Sequence, residues 1–559
     1  KEISGNKEIN NMTIKNNIAY LSCSFGLVLV DLENEEIKET YNVGDEINIY
    51  EINGCAFLGD SIIVATDNGL YFANINSSNL TDLNNWTLYN NSYDSYDNII
   101  TSNNTLFIDT SNRIISISIN NNNLIQVFSD SIQINNTSYI THSKFENIKY
   151  AWIDNESNIW VADSSNGLLK FLNYEYQENY IPESSKENRL FSLEFINEKL
   201  YMCHGGHVNF GTFWNKNGAS VMDRFDNWRN YDYYELKNAR DIVEVAEYGD
   251  KTYFASYYNG IVELEDDEVI ERYSWWNTNN GLDTISYWQE DNKMAISDLK
   301  FDNNGNMWGL LSSVDNPLFV KTKNNEWYKF SISSSQNFLF DEILIDNYNQ
   351  KWGIMGRGNG MFVYNDNNTI TNLDDDQYAL LDMSIGKGNL PSMNVYCFAN
   401  DIDGEVWVGT DKGITVFYDP GSVFSGYNFD AQQILITEGD YGQYLLSEEK
   451  VKCITIDGAN RKWIGTEKSG VFLLSEDGQE EIFHFTINNS PLFSDNIIDI
   501  AINHGNGEVF IGTDKGLISY RSGATKGASS QNQTHVFPNP VNENYSGPIA
   551  ISGLITDAN

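Results

Sequence analysis

The sequence predicts an all-β protein: two β-propellers of four-stranded antiparallel blades in tandem, followed by the start of a β-sandwich domain. Three observations carry that expectation. A short glycine hairpin recurs at a period near 49 residues, the residues between its copies alternate apolar and polar, and no long run shows helical spacing.

The hairpin is clearest as "GTDKGI" at 409–414, which returns as "GTDKGL" at 512–517 and loosely as "ATDNGL" at 65–70. Aligned on its glycine, it recurs at Gly26, Gly69, Gly167, Gly260, Gly360, Gly413, Gly470 and Gly516. Worn copies lie near Arg113, at 203–210 and near Pro317, which makes about eleven units. Each unit opens with an alternating run that ends in a turn, such as "ISDLKFDNNGN" (296–306) or "VKCITIDGAN" (451–460). A Trp or Phe strand follows (Trp308, Trp352, Trp407, Trp463, Phe510), then the glycine turn and a third apolar strand. The fourth run is often aromatic, as in "NEWYKFSI" (325–332). The glycine is expected at φ > 0, with the preceding Asp holding the turn through backbone amides. A loop copied into every blade is structural, because a catalytic loop is not normally repeated in this way.

Eleven blades exceed the four to eight of one ring, so two rings are required. The boundary is placed in the polar, Trp-bearing stretch 274–294. The first propeller is then 1–285, lacking N-terminal blades, and the second is 286–521. Residues 522–534 are Gly/Ser/Gln-rich and read as a linker. Residues 535–559 hold three of the eight prolines and read as the first strand of a truncated C-terminal β-sandwich.

The balance of 35 Lys+Arg against 78 Asp+Glu, a net charge of −43, argues against nucleic-acid binding. It also argues against unassisted binding of anionic lipid, although bound Ca2+ or a local basic pocket would override it. No apolar run reaches the roughly 18–20 residues of a transmembrane helix. The chain opens on Lys1 without a charged-then-apolar leader, so a signal peptide is expected upstream or already removed. Five scattered cysteines (Cys23, Cys55, Cys203, Cys397, Cys453) do not form a disulfide framework and read as buried small hydrophobes.

Candidate chemistry is sparse. Cys203, His204 and His207 in "MCHGGHVNF" have metal-like spacing but lack a fourth ligand, and they read as an enlarged inter-strand loop. The insertion running on to 225–235 reads as a decorated blade, with a lid or contact surface as the alternative. The clusters 374–376 and 263–271 lack the alternating ligand spacing of a Ca2+ loop, and "DIDGE" (401–405) aligns with turns. No carboxylate pair, nucleophile elbow or phosphate loop stands out, so no catalytic, cofactor or metal residue is assigned.

The repeat "D..G.hWhGT..Gh" resembles the two-component-regulator propeller repeat of hybrid histidine kinase sensor domains. The opening blade at 16–45 resembles the PorZ family, double propellers of the type IX secretion system. The Phe537, Pro538, Asn539, Pro540 stretch after the last blade resembles the opening of a type IX sorting domain. The resemblance implies a noncatalytic scaffold on the extracellular face of a Gram-negative outer membrane. It further implies the sortase PorU and outer-membrane proteins PorV and PorQ as partners, in attaching cargo to anionic lipopolysaccharide. Two alternatives stay open: a periplasmic ligand-sensing propeller of a hybrid two-component system, and a secreted propeller enzyme acting on polysaccharide.

Overall fold

The computed structural model describes residues 7–44, 48–76, 79–88, 95–96, 98–102, 105–110, 113–120, 123–126, 131–134, 138–141, 148–154, 156, 158–172, 175–285, 293–332, 338–438, 441–527, 535–537 and 550–552. Across 100–148 the backbone alone is described. The chain forms two compact units, Lys1–Pro182 and Glu183–Asn559.

Among the described residues the first unit holds four sheets of four antiparallel strands: blade 1 (9–41), blade 2 (52–88), blade 3 (98–126) and blade 4 (148–180). Their first strands pack in sequence order, Ile9–Lys15 on Ile52–Leu58, then Asn98–Ser102, then Ile148–Ile153. Leu27, Val43, Ile52, Ile62, Val64 and Trp86 fill the seam between blades 1 and 2. These are mostly the β-branched, aliphatic and aromatic residues that a pleated, two-sided sheet buries best.

The second unit holds seven blades: blade 5 (192–231), blade 6 (242–273), blade 7 (295–330), blade 8 (340–381), blade 9 (395–433), blade 10 (451–485) and blade 11 (497–521). Blades 5 to 10 have four strands and blade 11 has three. The strand order within each sheet follows the chain, with tight turns between strands, as the period-two pattern predicts. The first strands of the seven blades stand side by side around an axis. The last of them, Ile497–Asn503, packs against the first, Ser192–Ile196, so the ring closes.

The closure is noncovalent. The Leu193 amide donates to Asp499 Oδ2 at 2.7 Å, across 306 residues of chain. Leu190, Leu193, Leu200 and Met202 bury against Ala501 and Phe510, and the Phe195 and Phe510 rings stack at 5.8 Å. Six of the seven inner strands carry a register shift, for example between Ile296 and Asp298 and between Ile497 and Asp499. A bulge at this position increases local twist and turns each inner strand to follow the ring.

The chain divides at 182/183, whereas the sequence placed the ring boundary at 285/286. The stretch 274–285 is packed: Leu282 and Ile285 are buried with Val243 of blade 6 and Ile296 of blade 7. Trp275 and Trp276 at its start face outward. Blades 5 and 6 therefore belong with the five blades that follow them, giving a ring within the usual range of sizes.

Candidate functional site

A cavity of about 880 Å3 follows the axis of the second unit, lined by the inner strands of all seven blades. Its wall is unusually ionisable. Lys300 Nζ lies 2.8 Å from Glu194, 3.7 Å from Glu244 and 3.7 Å from Asp298, three carboxylates from three blades. Burial alone would depress Lys300, but Asp298, Glu194 and Glu244 outweigh it and hold the ammonium well above its usual range.

The carboxylates move the other way. Burial pushes Asp499 up to about 7, although the Leu193 and Ile500 amides stabilise its charged form. Burial likewise raises Asp298, against Lys300 and the amides of Ile343 and Leu299. Glu244 and Glu342 are raised well above the ordinary carboxylate range, again chiefly by burial. Asp298 and Asp499 each tie their own blade to the next one through these amides, so they position the ring as well as charge it. Lys452 is lowered by burial, as expected for a cation held away from water.

One end of the cavity is roofed by an insertion in blade 5. The strand Lys199–Cys203 does not turn directly into its partner Ala219–Met222, because residues 204–218 intervene. They carry a short hairpin, His207–Val208 paired with Gly211–Thr212. Its base is anchored by the Asp241 carboxylate, which accepts the Trp214 and Asn215 amides at 3.1 and 2.9 Å. The Gly205 amide donates to the Ile242 carbonyl at 2.8 Å.

The tip reaches blade 8. The Phe210 ring lies so close to Gly356 that a Cβ there would sit 2.1 Å from it, and Arg357 Nη2 donates to the Asn209 carbonyl at 2.6 Å. Between base and tip, the His207 imidazole stacks on Phe210 and meets the rings of Phe191 and Tyr257. Its Nε2 lies 3.6 Å from Asp341 Oδ1 of blade 8. The hairpin thus spans from blade 5 to blade 8 past the turn of blade 6, and His207 and Phe213 border the cavity.

The proposed metal-like trio is not assembled. Cys203 is buried in its strand, and His204 is committed to the Arg189 carbonyl at 2.8 Å and Ser220 Oγ at 2.7 Å. Among the described residues no three or more His, Cys, Asp or Glu come together to hold a metal ion. The insertion is also shorter than expected: 219–222 and 228–231 are the third and fourth strands of blade 5, so 225–235 is ordinary blade. The hairpin glycine of blade 5 is accordingly Gly218, at φ +72°, where a Cβ would lie 1.9 Å from the Tyr231 carbonyl. The signal was "KNGAS" (216–220), displaced from the two glycines at 205–206.

Gly69, Gly167, Gly260, Gly360, Gly413, Gly470 and Gly516 all lie between φ +72° and +135°. At Gly260 a Cβ would approach the Tyr273 carbonyl of the fourth strand to 2.1 Å, so the site excludes any side chain. The acidic clusters serve the turns and strand pairing of their own blades. Asp376 accepts from the Tyr364 hydroxyl and Asp375 from Thr369 Oγ1 at 2.9 and 3.0 Å. In 263–271, Glu263 pairs with Lys251 and accepts from Tyr273 at 2.6 Å. Phe537 lies in the strand His535–Phe537, paired with Ala550–Ser552, while Pro538, Asn539 and Pro540 lie outside the described residues.

Residues 1–87 match the family of N-terminal β-propeller domains of PorZ from the type IX secretion system, and residues 389–412 match the two-component regulator propeller repeat. Among solved structures, PorZ, described as an essential bacterial surface component of that system in Porphyromonas gingivalis, is 23% identical with a TM-score of 0.70. The match covers 98% of this chain and 78% of that one. The extracellular domain of the putative hybrid two-component system BT3049 from B. thetaiotaomicron is 13% identical with a TM-score of 0.32, covering 94% and 76%. No curated protein matches the chain. The chain thus resembles PorZ in its opening blades by sequence and over nearly all its length by fold.

Proposed function

We propose that the chain is a noncatalytic, surface-exposed component of a type IX secretion system. The observation that carries this is the conjunction of a PorZ-type opening at 1–87 with a PorZ-like fold over 98% of the chain. In this reading it scaffolds the attachment complex, beside the sortase PorU and the outer-membrane proteins PorV and PorQ, that fixes cargo to lipopolysaccharide. A propeller suits such work because its turns offer two wide, rigid faces. The net charge of −43 means that direct contact with an anionic glycan requires a bridging cation or a partner.

The test is affinity capture of the native protein from gently solubilised outer membranes. Co-purification of a sortase and an outer-membrane barrel is expected, and recovery of the protein alone overturns the proposal. The match at 389–412 keeps a sensor reading in view. Deleting a sensor would abolish a transcriptional response and leave cargo on the cell surface, whereas deleting the scaffold would release cargo into the medium.

A further inference from the structure

We propose that the axial channel of the second unit is a binding site for an organic cation with more than one ammonium group, of the linear polyamine class. The channel is a separate feature from the partner surfaces of a scaffold and requires nothing of that reading.

Charge balance is the first ground. Seven carboxylates line the cavity against four lysines and arginines. Lys300 is already bonded to Glu194, and Lys450 is bonded at 2.7 Å to Glu467, which does not line the cavity. Neither Glu342 nor Asp499 forms an ion pair among the described residues. In a channel walled by protein, charges are screened far less than at a surface, so a carboxyl there gains strongly from an entering cation even where burial has raised it.

Unpartnered polar atoms are the second ground. Ser297, on the inner strand of blade 7, is 6% exposed, and its Oγ has no hydrogen-bond partner. The His207 side chain is 9% exposed and its Nε2 is likewise without a hydrogen bond. Both residues border the cavity. His207 Nε2 faces the Asp341 carboxylate at 3.6 Å, which favours the tautomer protonated there, so the Ser297 hydroxyl is the acceptor left open to the cavity. An N–H donor satisfies the Ser297 oxygen, and the carboxyl-rich lining disfavours an anion there.

Geometry then selects the class. Glu244, Glu342 and Asp499 belong to blades 6, 8 and 11, and no three potential metal ligands converge among the described residues. Charges separated around a ring are matched by ammonium groups separated along a chain. The volume of about 880 Å3 is ample for such a molecule. The Glu342 and Asp499 carboxyl groups are raised chiefly by burial, with Lys300 acting the other way, and an entering ammonium group would draw both towards their charged form.

The test is calorimetric titration of the full chain with spermidine in 0.3 M NaCl, where attraction to the acidic surface is largely screened. One saturable site is expected. Glu244→Gln/Glu342→Gln should weaken it about tenfold or more, and Glu33→Gln/Glu36→Gln, exposed in blade 1, should leave it unchanged. Hydrogen exchange on the unsubstituted chain provides a readout that does not depend on a variant folding. Spermidine should protect the inner strands, including Ala295–Phe301 and Phe340–Ile345. Absence of saturable binding, equal losses in the two variants, or protection spread over the surface would each overturn the assignment.

Discussion

Glu342 shows how a single side chain can set the pH response of a ring. Its carboxyl faces the channel and is raised by burial first and by Asp298 second. The folded state therefore holds its proton more tightly than the unfolded chain does. The contribution of such a group is complete below the unfolded carboxylate value of about 4 and is lost as pH rises through the folded value. Asp499, at about 7, puts that loss between roughly pH 4 and 7 for its own carboxyl. Replacing Glu342 with Gln keeps the shape and removes the charge. Glu342→Gln should therefore be more stable than the parent at pH 8, by about 1 kcal/mol, with the advantage fading towards pH 4. Urea unfolding at the two pH values checks it, and an equal effect at both would show that Glu342 is not neutralised by burial.

Within a blade, the turn between the first two strands repeats one device. Asp302, Asp346 and Asp457 each accept the indole N–H six residues on, at 3.1 Å from Trp308, 2.9 Å from Trp352 and 3.2 Å from Trp463. The same carboxylates accept the amide four residues on, at 2.8–3.1 Å. Blade 9 departs from this. Asp401 gives its second oxygen to Lys462 of blade 10 at 3.1 Å, and the Trp407 indole makes no bond to it, acting instead on Glu405. The loss is offset from the neighbouring blade, because Lys462 Nζ lies 4.5 Å over the Trp407 ring, as Lys351 of blade 8 lies 4.1 Å over Trp308. Where the clasp is intact it holds several buried donors at once. Asp302→Ala should cost about 2–5 kcal/mol, read as a shift in the urea midpoint at constant slope. A cost below about 0.5 kcal/mol would show that water replaces the carboxylate.

These turns were legible as turns because Asp, Asn and Gly recur before each Trp, but a linear pattern does not reveal which donor a carboxylate accepts. The same limit explains the channel. Glu244, Asp298 and Glu342 sit in ordinary strand runs, and only the bulges and the ring closure direct them to one axis. The hairpin at 207–212 escaped for a related reason: its contacts with Gly356 and Arg357 lie about 150 residues away. The glycine turns were visible because their cause is local, a carbonyl approaching within one blade.

For the whole molecule, the decisive fact is which strands meet to close the ring. The second unit is shut by Leu193 on Asp499 and by the Leu190, Leu193 and Phe510 seam, so blade 5 is as much a part of it as blade 11. A ring lacking blades 5 and 6 would bare the packed face of blade 7 at Ala295–Phe301 on one side and that of blade 11 at Ile497–Asn503 on the other, exposing apolar seams. Asp499 would lose the Leu193 amide, and Lys300 would lose both Glu194 and Glu244 while keeping only Asp298. Residues 183–527 expressed alone should therefore unfold in one cooperative transition with a sharp melting curve. A fragment starting at residue 286 and ending at 527 should instead aggregate or melt without cooperativity. Calorimetry of the two fragments decides between the boundary read from the chain's composition and the one drawn by its contacts. If the 286–527 fragment melted as sharply as the longer one, five blades would suffice for a closed ring and the Leu193–Asp499 seam would not be what holds it shut.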